Sequence, residues 1–146
     1  MANTKAVRFN APKFQPITSA AYHFNDFVNA AAAALNDTFD YLIPAGVEIS
    51  SLAVQSQALD TNGTPTMAFQ VGYLPADATS ALTPNLTYFA PAGQVTGRAG
   101  GRLFCSFEPI KFNEDVIVRI TVSTAAATFQ AGRLWTIVSG NCDGPK

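Results

Sequence analysis

The sequence predicts an all-β fold: an antiparallel two-sheet sandwich, jelly-roll-like, of about eight strands, with an extended N-terminal arm. Three observations lead there. Residues 115–123 place Val116, Val118, Ile120 and Val122 on one face and Asp115, Ile117, Arg119, Thr121 and Ser123 on the other, the period-2 pattern of a half-buried strand. Similar segments recur, separated by clusters of Gly, Pro, Asn and Thr. No long amphipathic helix and no internal repeat interrupts them. A few long connections, rather than uniformly tight hairpins, favour the double-sheet Greek-key arrangement over an up-and-down barrel.

The elements follow in order. Residues 1–20 hold Pro12 and Pro16 and little periodicity, so they read as the arm. Its apolar residues Val7, Phe9, Phe14 and Ile17 suit docking on another surface, such as that of a neighbouring subunit. The sandwich domain is expected over 21–140, and a polar C-terminal tail holding Cys142 over 141–146. The segment 22–28 alternates imperfectly through Tyr22, Phe24, Asp26 and Val28. Residues 38–43 set Phe39, Tyr41 and Ile43 on one face, and Pro44-Ala45-Gly46 turns the chain. In 48–58, Leu52 and Val54 face one way and Ile49 and Ala53 the other. Residues 60–65 form a turn of αL-tolerant residues. Residues 66–73 alternate cleanly through Met67, Phe69, Val71 and Tyr73. A Pro/Ala/Thr-rich loop over 75–85 precedes a short strand at 86–89, and a Gly-rich loop spans 91–101. Strands at 102–108 and 133–139 complete the set with 115–123. Residues 30–35 are strong helix formers flanked by Asn29 and Asn36; they predict either one helical turn or a strand extension between hairpin arms.

Composition narrows function. Charged residues make up 13% of the chain, against about 25% in typical domains. So few charges imply that part of the outside is covered by something else. A chain of 146 residues forms one domain and buries roughly two-thirds of its unfolded surface without a metal or disulfide staple. Net charge is −1 with nine scattered basic residues, which argues against nucleic acid as partner, because phosphate binding needs a clustered positive field. No run of apolar residues is long enough to cross a membrane, and the N-terminus lacks the apolar core of a secretory signal. Cys105 and Cys142 lack metal-ligand spacing and are expected to stay reduced.

Reactive chemistry finds little support. His23 is the single histidine, and nucleophilic devices need a base beside the nucleophile. Residues 60–64 resemble the first half of a calcium loop, but Pro65 and a strand follow where further carboxylates are needed, so a plain turn is expected. Glu108, Glu114 and Asp115 read as solvated turn acids rather than a glycosidase pair. The Gly97–Arg102 stretch opens a strand rather than a helix, which argues against phosphate binding; Arg98 and Arg102 instead suit acidic groups on a protein neighbour. Tyr73, Tyr88 and Phe89 flank the 75–85 loop and, if exposed together, would form a ligand platform for a sugar ring or protein. The expectation is therefore a non-enzyme without cofactor or metal.

Taken in order, residues 38–49 (TFDYLIPAGVEI), 57–66 (QALDTNGTPT) and 112–134 (FNEDVIVRITVSTAAATFQAGRL) resemble small structural proteins of tailed bacteriophages, particularly head decoration or cement proteins with a jelly-roll-like β-sandwich. The likeness covers roughly residues 20–140 and consists of strand-and-turn patterns, so no catalytic residue is carried over. It implies a structural virion protein, made in the host cytoplasm and placed on the outer capsid surface, that bridges subunits of the major capsid protein. The arm would reach a neighbour, and a homo-oligomer, dimer or trimer, would span capsomers. The alternative is a head- or tail-fibre module that recognises a host-surface glycan.

Overall fold

The computed structural model describes residues 1–7, 9 and 20–142. The strands are β1 (Asn3–Lys5), β2 (Ala20–Ala30), β3 (Thr38–Ile43), β4 (Val47–Ser56), β5 (Ala68–Pro75), β6 (Asn85–Gln94), β7 (Gly101–Phe104), β8 (Ile110–Lys111), β9 (Val116–Thr124) and β10 (Gly132–Cys142). One helical turn, α1 (Thr96–Ala99), joins β6 to β7. The first sheet runs β1-β3-β9-β5-β6 and the second β2-β10-β4-β7, with β8 also paired to β4. The links β5–β6 and β7–β8 stay within a sheet; β1–β2, β2–β3, β3–β4, β4–β5, β6–β7, β8–β9 and β9–β10 all cross between sheets. The chain is thus an all-β sandwich of two interleaved five-stranded sheets.

The inward faces make one core. Phe39, Tyr41 and Ile43 of β3 pair in register with Ile120, Val118 and Val116 of β9, and all are buried. Phe69, Val71 and Tyr73 of β5 continue that layer. Opposite them lie Tyr22, Phe24 and Val28 of β2, Leu134 and Val138 of β10, and Ile49, Leu52 and Val54 of β4. Each fully buried aliphatic or aromatic side chain here contributes about 1.5–3 kcal/mol. The Tyr41 hydroxyl crosses the sandwich and donates to the Leu134 carbonyl at 2.7 Å. Burial holds this phenol far above its usual range, and the Asp26 and Asp40 carboxylates push the same way, so it stays a neutral donor.

Several sequence expectations change in detail. Ile49 faces inward with Leu52, not outward with Ala53, because a bulge intervenes: Ser139 pairs with Ser51 while Gly140 pairs with Ile49. The bulge needs glycine, since a Cβ on Gly140 would stand 1.8 Å from the Glu48 carbonyl oxygen. Beyond it β10 runs on to Cys142, which is buried in the core rather than lying in a polar tail. Both cysteines are free thiols. Residues 31–34 form neither a helix nor more strand. The chain turns at Asn36 (φ 69), with the Asp37 amide donating to Ala34 and the Asp37 carboxylate accepting from it. β6 extends through the first four residues of the predicted 91–101 loop. Its ladder to β5 is irregular, which leaves room for Pro91 and Gly93 on an edge strand. The predicted 102–108 strand stops at Phe104, although the Cys105 amide still reaches the Leu52 carbonyl at 2.9 Å.

Candidate functional site

The N-terminal arm docks first on its own chain. Residues 3–5 add to the edge of β3 as a parallel strand, although nothing in Asn3-Thr4-Lys5 alternates. Two carboxylates set its place. Asp37 Oδ1 accepts from the Ala2 amide at 2.8 Å, and Asp40 Oδ2 accepts from Asn3 Nδ2 at 2.6 Å. Asp40 is also held in a bidentate pair by Arg119, at 2.7 and 2.8 Å. This pair raises the Arg119 pKa through the hydrogen bond to Asp40, and it sits beneath the arm. The arm then crosses to the second sheet, where the Val7 amide donates to the Phe27 carbonyl at 2.7 Å. Phe9 is buried at 7% exposure, whereas Val7 is 58% exposed. Phe14 and Ile17 lie outside the described residues.

Arg98 lies on α1 and turns inward. Its Nε donates to the Met67 carbonyl at 2.8 Å, next to a hub built on Asp60. The Asp60 carboxylate accepts backbone N–H bonds from Asn62, Thr66, Met67, Ala127 and Thr128, at 2.8–3.3 Å. Burial pushes its pKa up, but the donors from Thr128, Ala127, Met67 and Thr66 outweigh burial and hold it far below the usual carboxylate range. A carboxylate so surrounded by donors has no lone pairs left for a cation. The plain-turn reading of residues 60–65 therefore has a physical basis. Among the described residues no cluster of three or more His, Cys, Asp or Glu could hold a metal.

Tyr73, Tyr88 and Phe89 do come together, with ring centroids 5.5, 6.2 and 5.3 Å apart. Phe107 and Phe112 join them edge-on. The cluster plugs one end of the sandwich: Phe89 is 1% and Tyr73 9% exposed. Tyr88 is the partly exposed member, and its hydroxyl is engaged by the Glu108 carbonyl at 2.9 Å. His23 is exposed beside Ser139, Nδ1 to Oγ 3.1 Å. Asp115 accepts from the Ala45 amide at 2.8 Å, which fixes the 44–46 turn.

Sequence reasoning missed the outer face of the second sheet. Along β10, Leu134 and Val138 point into the core, and alternation puts Trp135 and Ile137 outside. Register aligns Phe27, Trp135, Gln55 and Arg102 in one row, and Asn25, Ile137, Ala53 and Phe104 in the next. Phe27 and Trp135 touch, centroids 6.4 Å apart. The Arg133 guanidinium lies 5.0 Å over Phe27 and that of Arg102 5.8 Å over Phe104. Arg102 also donates to Gln55 Oε1 at 3.1 Å from Nε and 2.5 Å from a terminal nitrogen. Phe104 is 71% exposed. It stands at the mouth of a groove of about 190 Å³ between β6 and β7, which is also lined by Phe89, Pro91 and Leu103. The signal was present in the period-2 order of 133–139, where Arg133, Trp135 and Ile137 share a parity.

No family model matches the chain, and no curated protein matches it. Among solved structures it is similar to a chain of the capsid of Ralstonia phage GP4, with 20% identity over 99% of this chain and 100% of that one, at a TM-score of 0.71. It is also similar to a chain of the Cyanophage Pam1 capsid asymmetric unit, with 22% identity over 90% and 91% of the two chains, at a TM-score of 0.64. At these identities the likeness is one of fold. The resemblance to phage head proteins read from residues 38–49, 57–66 and 112–134 is met at that level by both.

Proposed function

We propose that this chain is a structural virion protein that decorates a phage capsid on its outer surface and stabilises it by bridging major capsid subunits. The observation that carries the reading is the match with a chain of a phage capsid structure over 99% of this chain and 100% of that one. The physical character agrees. A low-charge sandwich with broad faces suits a role in which surface is buried against neighbours, and several modest contacts made at once give firm attachment. A homo-oligomer would add further contacts of this kind. The glycan-binding alternative gains no support from Tyr73 and Phe89, which are turned into the core.

Quantitative mass spectrometry of purified virions tests the reading. The expected result is a fixed, high ratio of this chain to the major capsid protein. A few copies per particle would instead mean a fibre or vertex module, and absence from virions would overturn the structural role.

A further inference from the structure

We infer that the outer face of the second sheet, centred on Phe27, Trp135 and Phe104, is the surface by which this chain docks on a protein partner, and that the partner's matching surface is an apolar ridge flanked by carboxylates. The inference rests on the lattice-binding reading above and assigns it to a face. The centre of this face is apolar and aromatic, the composition that dominates binding energy at protein interfaces, with arginine as the enriched charged residue.

Its charge is one-sided. Arg102 and Arg133 lean over the aromatic rings, and among the described residues neither forms an ion pair: Arg102 meets the neutral Gln55 amide, and Arg133 meets Phe27. His23 is exposed on the same face. The outward positions of β2, β4, β7 and β10 hold a single carboxylate, Glu48, which pairs in register with Lys111 at the far end. The first sheet differs, because its outward Arg119 is already neutralised by Asp40. A chain of net charge −1 thus concentrates uncompensated cations around its exposed aromatic patch.

Burying that patch requires carboxylates opposite the two guanidinium groups, since a desolvated unpaired charge is costly. A second copy is the wrong occupant: two-fold pairing of the face with itself would bring four guanidinium groups into one interface whose own carboxylate, Glu48, lies at the far end beside Lys111. The groove beside Phe104 would take an aliphatic side chain at the end of the ridge.

The test uses empty shells of the phage's own major capsid protein, purified without this chain, in a co-sedimentation titration. The full chain is compared with Phe104→Asp, with the pair Arg102→Glu/Arg133→Glu, and with Thr87→Glu at an exposed site on the first sheet. All substituted side chains are exposed, and thermal melts check folding. Phe104→Asp and the arginine pair are each expected to weaken binding by about tenfold or more, as for interface anchors, while Thr87→Glu binds as the parent does. Added salt should weaken the parent more than the arginine pair. Parent-like binding by both face variants would overturn the assignment of the face while leaving the lattice role standing. Failure of the parent itself to bind shells would overturn both.

Discussion

Asp60 shows how one side chain organises a region. Five backbone donors from two loops converge on its carboxylate, and an isolated bridge joins Asp60 to Phe129. Its folded pKa lies below the unfolded value of about 3.9, so its contribution to stability is full above that pH and is lost as pH falls towards the folded pKa. Asp60→Asn removes the charge and presents an amide to backbone donors. Its urea midpoint should fall well below that of the parent at pH 7, and the gap should narrow below about pH 4. Urea titrations of both proteins across that range provide the check; a gap independent of pH would mean that the carboxylate charge is not what holds the loops. The Asp-Thr-Asn-Gly signature announced a turn, but not that distant residues 127 and 128 would supply donors, because no local pattern encodes which loop folds onto which.

At the scale of elements, the arm is the informative case. Its apolar residues announced docking, yet the position of β1 is set by side chains of β3 and the turn before it, Asp40 and Asp37, which sequence alternation does not register. Truncation of residues 1–9 removes the Asn3–Asp40 and Ala2–Asp37 bonds and the burial of Phe9, and it uncovers the Asp40–Arg119 pair. The expected loss is about 3 kcal/mol, mostly apolar burial with smaller hydrogen-bond terms. The sandwich should still fold, with a melting temperature lower by several degrees. Calorimetry checks this, and an unchanged melting temperature would show that the docked arm adds nothing to the fold. Strands β5 and β9 were legible because each has one buried and one outward face, so period 2 appears undiluted. β10 was harder to read. Its outward residues Trp135 and Ile137 are as apolar as its inward Leu134 and Val138, and hydropathy alone does not tell the two faces apart. That ambiguity hid the candidate surface.

For the whole molecule, topology governs how the chain must fold. Seven of the nine links between successive strands cross from one sheet to the other, and the pairs β2–β10 and β3–β9 join distant parts of the sequence. Such non-local pairing delays contact formation until large loops have closed. Stopped-flow refolding from urea is expected on the millisecond-to-second scale typical of sandwiches; microsecond refolding would contradict the role assigned to these long-range pairs. The two-sheet architecture was legible from the number and spacing of strands. The addition of β1 to a sheet edge was not, because a three-residue parallel strand leaves almost no periodic trace.

The treatment of the edges carries a last consequence. One end of the first sheet is closed by the chain's own β1, and at the other end Pro91 deletes an amide donor from β6. With both margins of this sheet blunted, separate copies have little means of stitching themselves through it into fibres.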